Sequence, residues 1–138
     1  MVTTDCIFCN IVNGQMEAAT IFENSEFKVI LDRFPASKGH TLILPKEHVE
    51  TIFDLDTETI SKLFALAAHV AKVLKQKYNC EGLNLLQNNG AAAGQTVNHF
   101  HLHLIPRFEG DNVTIHWKTL DITEEELNEI ADEVGKAI

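Results

Sequence analysis

Basic residues are scarce in this chain. Eleven lysines and arginines face twenty aspartates and glutamates, for a formal net charge of −9. Holding a polyanion such as duplex DNA requires a basic surface that neutralises phosphates, so a nucleic acid polymer is not an expected partner. A small nucleotide stays open as a ligand, because a few aimed donors outweigh the global field, and the acidity itself favours solubility. Long apolar runs are missing as well. No stretch approaches the roughly 20 residues of a membrane span. Met1-Val2-Thr3-Thr4-Asp5 offers no basic segment followed by an apolar one, so neither a secretory signal nor a membrane partner is expected. Cysteine is limited to Cys6, Cys9 and Cys80. An odd count with one close pair is not a disulfide framework and points to a reduced, cytoplasmic chain. There are no repeats and no low-complexity linker, and 138 residues suit one domain with a sizeable core.

What is present reads as hairpins and helices. Ile7, Phe8, Ile11 and Val12 recur at helical spacing, with Gly14 placed to stop the helix. Residues 21–23 and 27–31 flank Asn24-Ser25 as a hairpin, and 41–44 form a third strand that Pro45 ends. A long helix starts at Asp56, its cap, with Ile60, Leu63, Phe64, Ala67, Ala71, Leu74 and Tyr78 on its apolar face and Gly82 as its close. Residues 83–86 make a short strand. Thr123-x-x-Glu126 is a capping box for a terminal helix that turns Leu127, Ile130, Ala131 and Val134 inward. The expected class is α+β: an antiparallel sheet of about five strands, one long helix and a C-terminal helix.

Residues 99–106 read His-Phe-His-Leu-His-Leu-Ile-Pro. Strand side chains alternate faces, so His99, His101 and His103 would line one face while Phe100, Leu102 and Leu104 enter a core. A helix would spread the same imidazoles over about 200°. Three readings fit the row alone: solvent-facing filler, a metal site, or nucleophilic catalysis by one imidazole whose neighbours hold the electrophile. The preceding loop, residues 88–96, is rich in small residues and ends in Gly94-Gln95-Thr96. Glycines let backbone N–H groups approach an anion, and amide and hydroxyl groups donate to phosphate. No carboxylate lies between residues 82 and 108, which suits an anionic ligand and poorly suits a hard metal ion. Cys6-x-x-Cys9 has zinc-ligand spacing, though one such pair needs further ligands to make a site.

Residues 94–107, from Gly94-Gln95-Thr96 through His99-x-His101-x-His103 to Arg107, resemble the signature of the histidine triad (HIT) family of nucleotide-binding hydrolases and transferases. Cys6-Ile7-Phe8-Cys9, Ile30-Leu31-Asp32 and the segment 39–48 extend the likeness, so that about residues 5–110 carry it and about 111–138 form a helical extension.

The resemblance implies a HIT fold spanning 1–138 and a mechanism. His101 would attack the α-phosphorus of a nucleoside phosphoramidate or dinucleoside polyphosphate, form a nucleotidyl-histidine and release a nucleoside monophosphate. It implies phosphate contacts from His103, Gly94, Gln95 and Thr96, and a polar pocket residue at Asn88. Asp32 would take the ribose hydroxyls, Phe8 and Ile30 the base, and His40 would support the pocket. It implies a structural Zn2+ on Cys6, Cys9, His48 and His99, a purine nucleotide as partner, and a two-fold homodimer. The triad does not separate the phosphoramidate branch from the polyphosphate branch. A nucleotide-binding regulator with vestigial hydrolysis, or a zinc-binding interaction module, stand as alternatives.

Overall fold

The computed structural model describes residues 5–138. Five strands form one sheet in the order β1-β2-β3-β5-β4, and every neighbouring pair is antiparallel. Helix α1 (Ile7–Val12) precedes the hairpin of β1 (Thr20–Glu23) and β2 (Phe27–Leu31), which β3 (Thr41–Pro45) extends. Helix α2 (Thr57–Tyr78) crosses to β4 (Gly82–Leu86), β5 (Leu102–Arg107) enters between β3 and β4, and α3 (Glu124–Ala137) ends the chain. The expected α+β architecture is the observed one. Asn24 closes the first hairpin by accepting from the Glu26 and Phe27 amides.

The two faces of the sheet are dressed differently, and strand alternation decides how. Phe27, Val29, Ile43, Leu102 and Leu104 face α2 and pack with Phe100, Leu63, Ala67, Val70 and Leu74. Ile30, Leu42 and Leu44 face the other way, onto Cys6, Phe8, Cys9, Ile11 and Val12 of the α1 region. Across the second face Ile30 lies opposite Leu42, and Leu42 opposite His103. This places His103 among apolar neighbours on the α1 side.

Several expected boundaries move. Asp56 does cap α2, accepting from the Thr59 amide at 2.7 Å, but the helix ends at Asn79 (φ 50°), not at Gly82, which opens β4. Asparagine tolerates this left-handed position better than most residues. Pro45 is the last residue of β3 rather than the first beyond it. The buried stripe of α2 includes Val70, while Phe64 is 43% exposed. Gly39 sits at φ +90°, and an added Cβ there would fall 2.9 Å from the Tyr78 ring, so only glycine lets this loop close against α2.

The largest departure is α3. Its capping box forms as read, with Thr123 and Glu126 bonding reciprocally. Leu127, Ile130, Ala131 and Val134, expected inward, are all exposed, and no residue of α3 is buried. Helical periodicity reveals an apolar stripe but not what covers it. At the exit from β5, Arg107 grips Asp111 through two N–H···O bonds of 2.9 Å, donates to Asn84, and holds the Asp111 carboxyl well below the usual carboxylate range.

Leu63 is fully buried between α2 and the sheet. Leu63→Ala is therefore expected to lower unfolding free energy by about 2–5 kcal/mol in a urea titration. A cost below 1 kcal/mol, at unchanged m-value, would show that this packing is not the core of the folded state.

Candidate active site and metal centre

The site is built around a bend, residues 97–99, that leads into β5. Phe100 anchors it: its ring is in the α2 core and its amide donates to the Val49 carbonyl at 2.6 Å. The expected strand over 99–106 therefore begins only at Leu102, and His99 lies in the bend instead of on a sheet face. The reason is the short ladder between β3 and β5, which pairs Thr41, Leu42 and Ile43 with residues 102–104 and stops there.

His99 is fully buried and its two ring nitrogens have opposite partners. Nε2 faces the Pro45 carbonyl at 2.8 Å, an acceptor, so Nε2 carries the proton. Nδ1 is thereby left as a lone pair, 3.4 Å from Cys6 Sγ and 3.5 Å from Cys9 Sγ. Cys9 Sγ also lies 3.2 Å from His48 Nδ1. The four ligand atoms all fall within 4.8 Å of one another. Two thiols and two imidazoles are the donor set of tetrahedral structural zinc, and a backbone carbonyl fixing the free imidazole nitrogen is the usual outer support of such a ligand. These four residues fit a metal ion. Cys6 is the N-cap of α1 and its sulfur accepts from the Cys9 amide at 3.3 Å, a contact that favours thiolate. Burial outweighs it and pushes the Cys6 thiol up, while desolvation holds His99 down at about 4.

His101 stands next to this set. Its Nδ1 is 2.7 Å from the His99 carbonyl, so Nδ1–H donates and Nε2 is the unprotonated nitrogen. Burial lowers its pKa, which keeps the ring neutral. Phe8 meets the ring edge-on at 5.0 Å, and the His103 ring centroid also lies 5.0 Å away.

His103 is oriented through His40. The Ala36 amide donates to His40 Nδ1 at 2.9 Å, which leaves the His40 proton on Nε2. That nitrogen is 2.9 Å from His103 Nδ1, so His103 accepts there and carries its own proton on Nε2. Desolvation lowers both pKa values, His103 to about 4, consistent with neutral rings that each hold one proton. Asp32 is the carboxylate beside them. Its Oδ2 is 3.4 Å from His40 Nε2, and its Oδ1 accepts from the Phe34 amide at 2.8 Å.

The loop before the bend is held differently from expectation. Gln95 was expected at the phosphate, yet its carbonyl accepts from the Gly90 amide at 2.7 Å and its NH2 donates to Glu50 and Val97 carbonyls. All its groups are engaged and it is buried, so it braces the loop and is not free to donate to a ligand. Gly94 adopts φ +95°, a left-handed conformation that disfavours any side chain. Thr96 is exposed and Asn88 is half-buried, its amide 3.5 Å from the Gly94 carbonyl. Phe8 and Ile30 are both buried in the α1-side cluster, and the Phe8 ring packs against His99 and His101. The supporting groups that sequence reasoning missed, the carbonyls of Pro45, Val49 and His99 and the amide of Ala36, belong to the backbone and leave no side-chain signal.

A family model described as the HIT domain matches residues 13–110. The chain is 35% identical to adenosine 5'-monophosphoramidase hnt1 of Schizosaccharomyces pombe, over 96% of this chain and 98% of that one. A crystal structure of a HIT family protein from Bacillus anthracis is 41% identical and superposes with a TM-score of 0.90, covering 98% of both chains. A zinc-bound histidine triad family protein from Mycobacterium smegmatis is 34% identical with a TM-score of 0.75, covering 96% of this chain and 97% of that one. No helix among the described residues is long and apolar enough to cross a membrane.

The four tautomers are directly measurable. Long-range nitrogen–proton correlation spectra near neutral pH are expected to show His101 as the Nδ1–H form and His40, His99 and His103 as Nε2–H forms. An Nε2–H signal from His101 would remove the lone pair on which its reactivity depends.

Proposed function

The chain belongs to the HIT family, and on that premise we propose that it hydrolyses small nucleotides at the α-phosphorus, with His101 as nucleophile. One observation supports this above all. The His99 carbonyl and the low polarity around His101 leave a neutral imidazole with its Nε2 lone pair free. Neutral imidazole is an effective nucleophile when its other N–H is held by an acceptor.

The chemistry follows from that nitrogen. Nε2 forms a bond to phosphorus as the bond to the leaving group breaks, and the leaving group departs with a proton taken from solvent, which the attacking water gives back in the second step. Charge gathers on the phosphoryl oxygens, where the His103 Nε2–H is a fixed donor. Water then attacks phosphorus, the N–P bond breaks, and His101 regains its starting form as the nucleoside monophosphate leaves. Asp32 is assigned to the ribose hydroxyls, Thr96 and the Gly94 backbone to the phosphate side, and Asn88 to the pocket edge. A phosphoramidate is the favoured substrate class, since the named relative from Schizosaccharomyces pombe is an adenosine 5'-monophosphoramidase. A dinucleoside polyphosphate and a purine preference belong to the same reading.

Zn2+ is proposed on Cys6, Cys9, His48 and His99, in keeping with the zinc-bound relative. Its contribution there is structural: these ligands join α1, the segment after β3 and the bend before β5. A two-fold dimer, as in the family at large, completes the proposal.

Incubation with an adenosine phosphoramidate and with diadenosine polyphosphate, followed by quantification of AMP, is the test of activity. His101→Ala is expected to reduce turnover on the order of 10^4-fold or more while the protein stays folded, as loss of a covalent nucleophile does. Wild-type binding of AMP with no turnover of either substrate class would overturn the hydrolase reading. Metal analysis of untagged protein is expected to find about one equivalent of zinc, the complement of one four-ligand site. Cys6→Ala should lose it; zinc below a tenth of an equivalent and unchanged by that substitution would sink the metal assignment.

A further inference from the structure

A cavity of about 650 Å3 lies between the turn after α1 and the end of β2, and its lining includes Gly14, Met16, Glu17, Ala18, Lys28 and Arg33. Its size suits a small-molecule site. An added Cβ at Gly14 would meet nothing within 4 Å, so that end is open space. Lys28 is already engaged: its Nζ donates to the Ile11 carbonyl at 3.1 Å and pairs with Glu23 at 3.9 Å. Glu17 and Arg33 differ from it. Both are exposed, and neither forms a hydrogen bond or ion pair among the described residues; the Arg33 guanidinium lies 5.6 Å from the Phe34 ring centroid. In a chain with twenty carboxylates to eleven lysines and arginines, this arginine has no carboxylate partner. One cavity thus holds a fork of donors and a pair of acceptors, both open to a ligand.

The position of the cavity says which part of a ligand enters it. From His101 the site runs through His103 to His40, where His103 Nδ1 is 2.9 Å from His40 Nε2, and on to Asp32 Oδ2 at 3.4 Å from that nitrogen. Arg33 follows Asp32 in the chain and lines the cavity. Phosphate, ribose and base of a nucleotide would then fall in order on His101, Asp32 and the cavity. This step rests on the hydrolase reading, which puts phosphorus at His101 and the ribose at Asp32.

We propose that Glu17 and Arg33 read the edge of the base and select guanine over adenine. Guanine carries two acceptors, O6 and N7, on one edge, and two donors, N1–H and the N2 amino group, on the next. The Arg33 fork donates to the first pair and the Glu17 carboxylate accepts from the second, both in charge-assisted bonds. Adenine has an amino group in place of O6 and a lone pair in place of N1–H. Each contact then loses a bond and meets like polarity. Met16 and Ala18 add apolar surface beside the pair.

Calorimetric titration of the full-length protein with GMP, IMP and AMP is the deciding experiment; IMP is GMP without the N2 amino group. GMP is expected to bind about 10-fold more tightly than AMP, with IMP between them. Arg33→Lys keeps the charge but loses the fork, and should bring the GMP-to-AMP ratio toward one. Glu17→Ala should erase the advantage of GMP over IMP. Equal binding of GMP and AMP to the unsubstituted protein, no binding of either, or a preference that survives both substitutions would overturn the proposal. So would an equal loss of GMP and AMP affinity in Arg33→Leu, which would mark Arg33 as a general attractor of phosphate. Turnover is read separately, with adenosine and guanosine phosphoramidates. A guanine preference without turnover of either would overturn the hydrolase reading and support base selection. Turnover of both with equal affinities would do the reverse.

Discussion

The site depends on the double use of His99. Its ring nitrogen Nδ1 faces the thiols of Cys6 and Cys9, while its carbonyl, 2.7 Å from His101 Nδ1, fixes the orientation and tautomer of the neighbouring imidazole. One residue thus carries two jobs on two different atoms. The Pro45 carbonyl holds the ring from behind, and the Phe100 amide on Val49 holds the peptide that follows. Any shift of His99 toward or away from the cysteines would rotate the carbonyl that His101 needs. The Cys2His2 set and the candidate nucleophile are therefore one mechanical unit, though their chemistries differ. A metal ion there would act on reactivity through backbone position, with no direct contact to a substrate.

Neutrality is the second constraint. Imidazoles close together cannot all be protonated, and burial resolves the conflict by holding His40, His99, His101 and His103 below their ordinary pKa. Each ring then has one N–H and one lone pair, and the backbone assigns them. Carbonyls at His99 and Pro45 draw protons to the nitrogens facing them; the Ala36 amide pushes the His40 proton to the far side, and His103 follows. The overall charge of −9 plays little part locally. What matters is that Asp32 is the carboxylate beside these rings, and it sits next to His40 rather than His101.

Much of this was legible in the sequence, for reasons that name particular residues. Alternation placed Leu102 and Leu104 in the core and His103 opposite them. Asp56 and Thr123 were readable as caps because a short oxygen side chain before an apolar-periodic run has few other roles. The unequal duties of the three histidines came from family likeness, not from spacing, which treats them as equals. The bend at 97–99 was illegible, because the period-two pattern continues through it even where the ladder has stopped. Gln95 was misread for a related reason. A loop amide next to glycines looks available, yet three backbone groups already use it. The exposure of α3 lay beyond sequence altogether, since an amphipathic helix fits the core of its own chain or the surface of another equally well.

Asp32 shows how a residue can meet a structural need with one oxygen and leave the other for the proposed role. A carboxylate before Arg33-Phe34-Pro35 invites the plain reading of a turn cap, and Oδ1 does accept from the Phe34 amide. The functional reading needs an acceptor beside the histidines, and Oδ2 lies there, 3.4 Å from His40. The two oxygens divide the work. Capping by Oδ1 fixes the carboxylate plane, so Oδ2 is held ready to accept a ligand hydroxyl without first ordering the side chain. The capping bond thus also aims the second oxygen toward the histidine side.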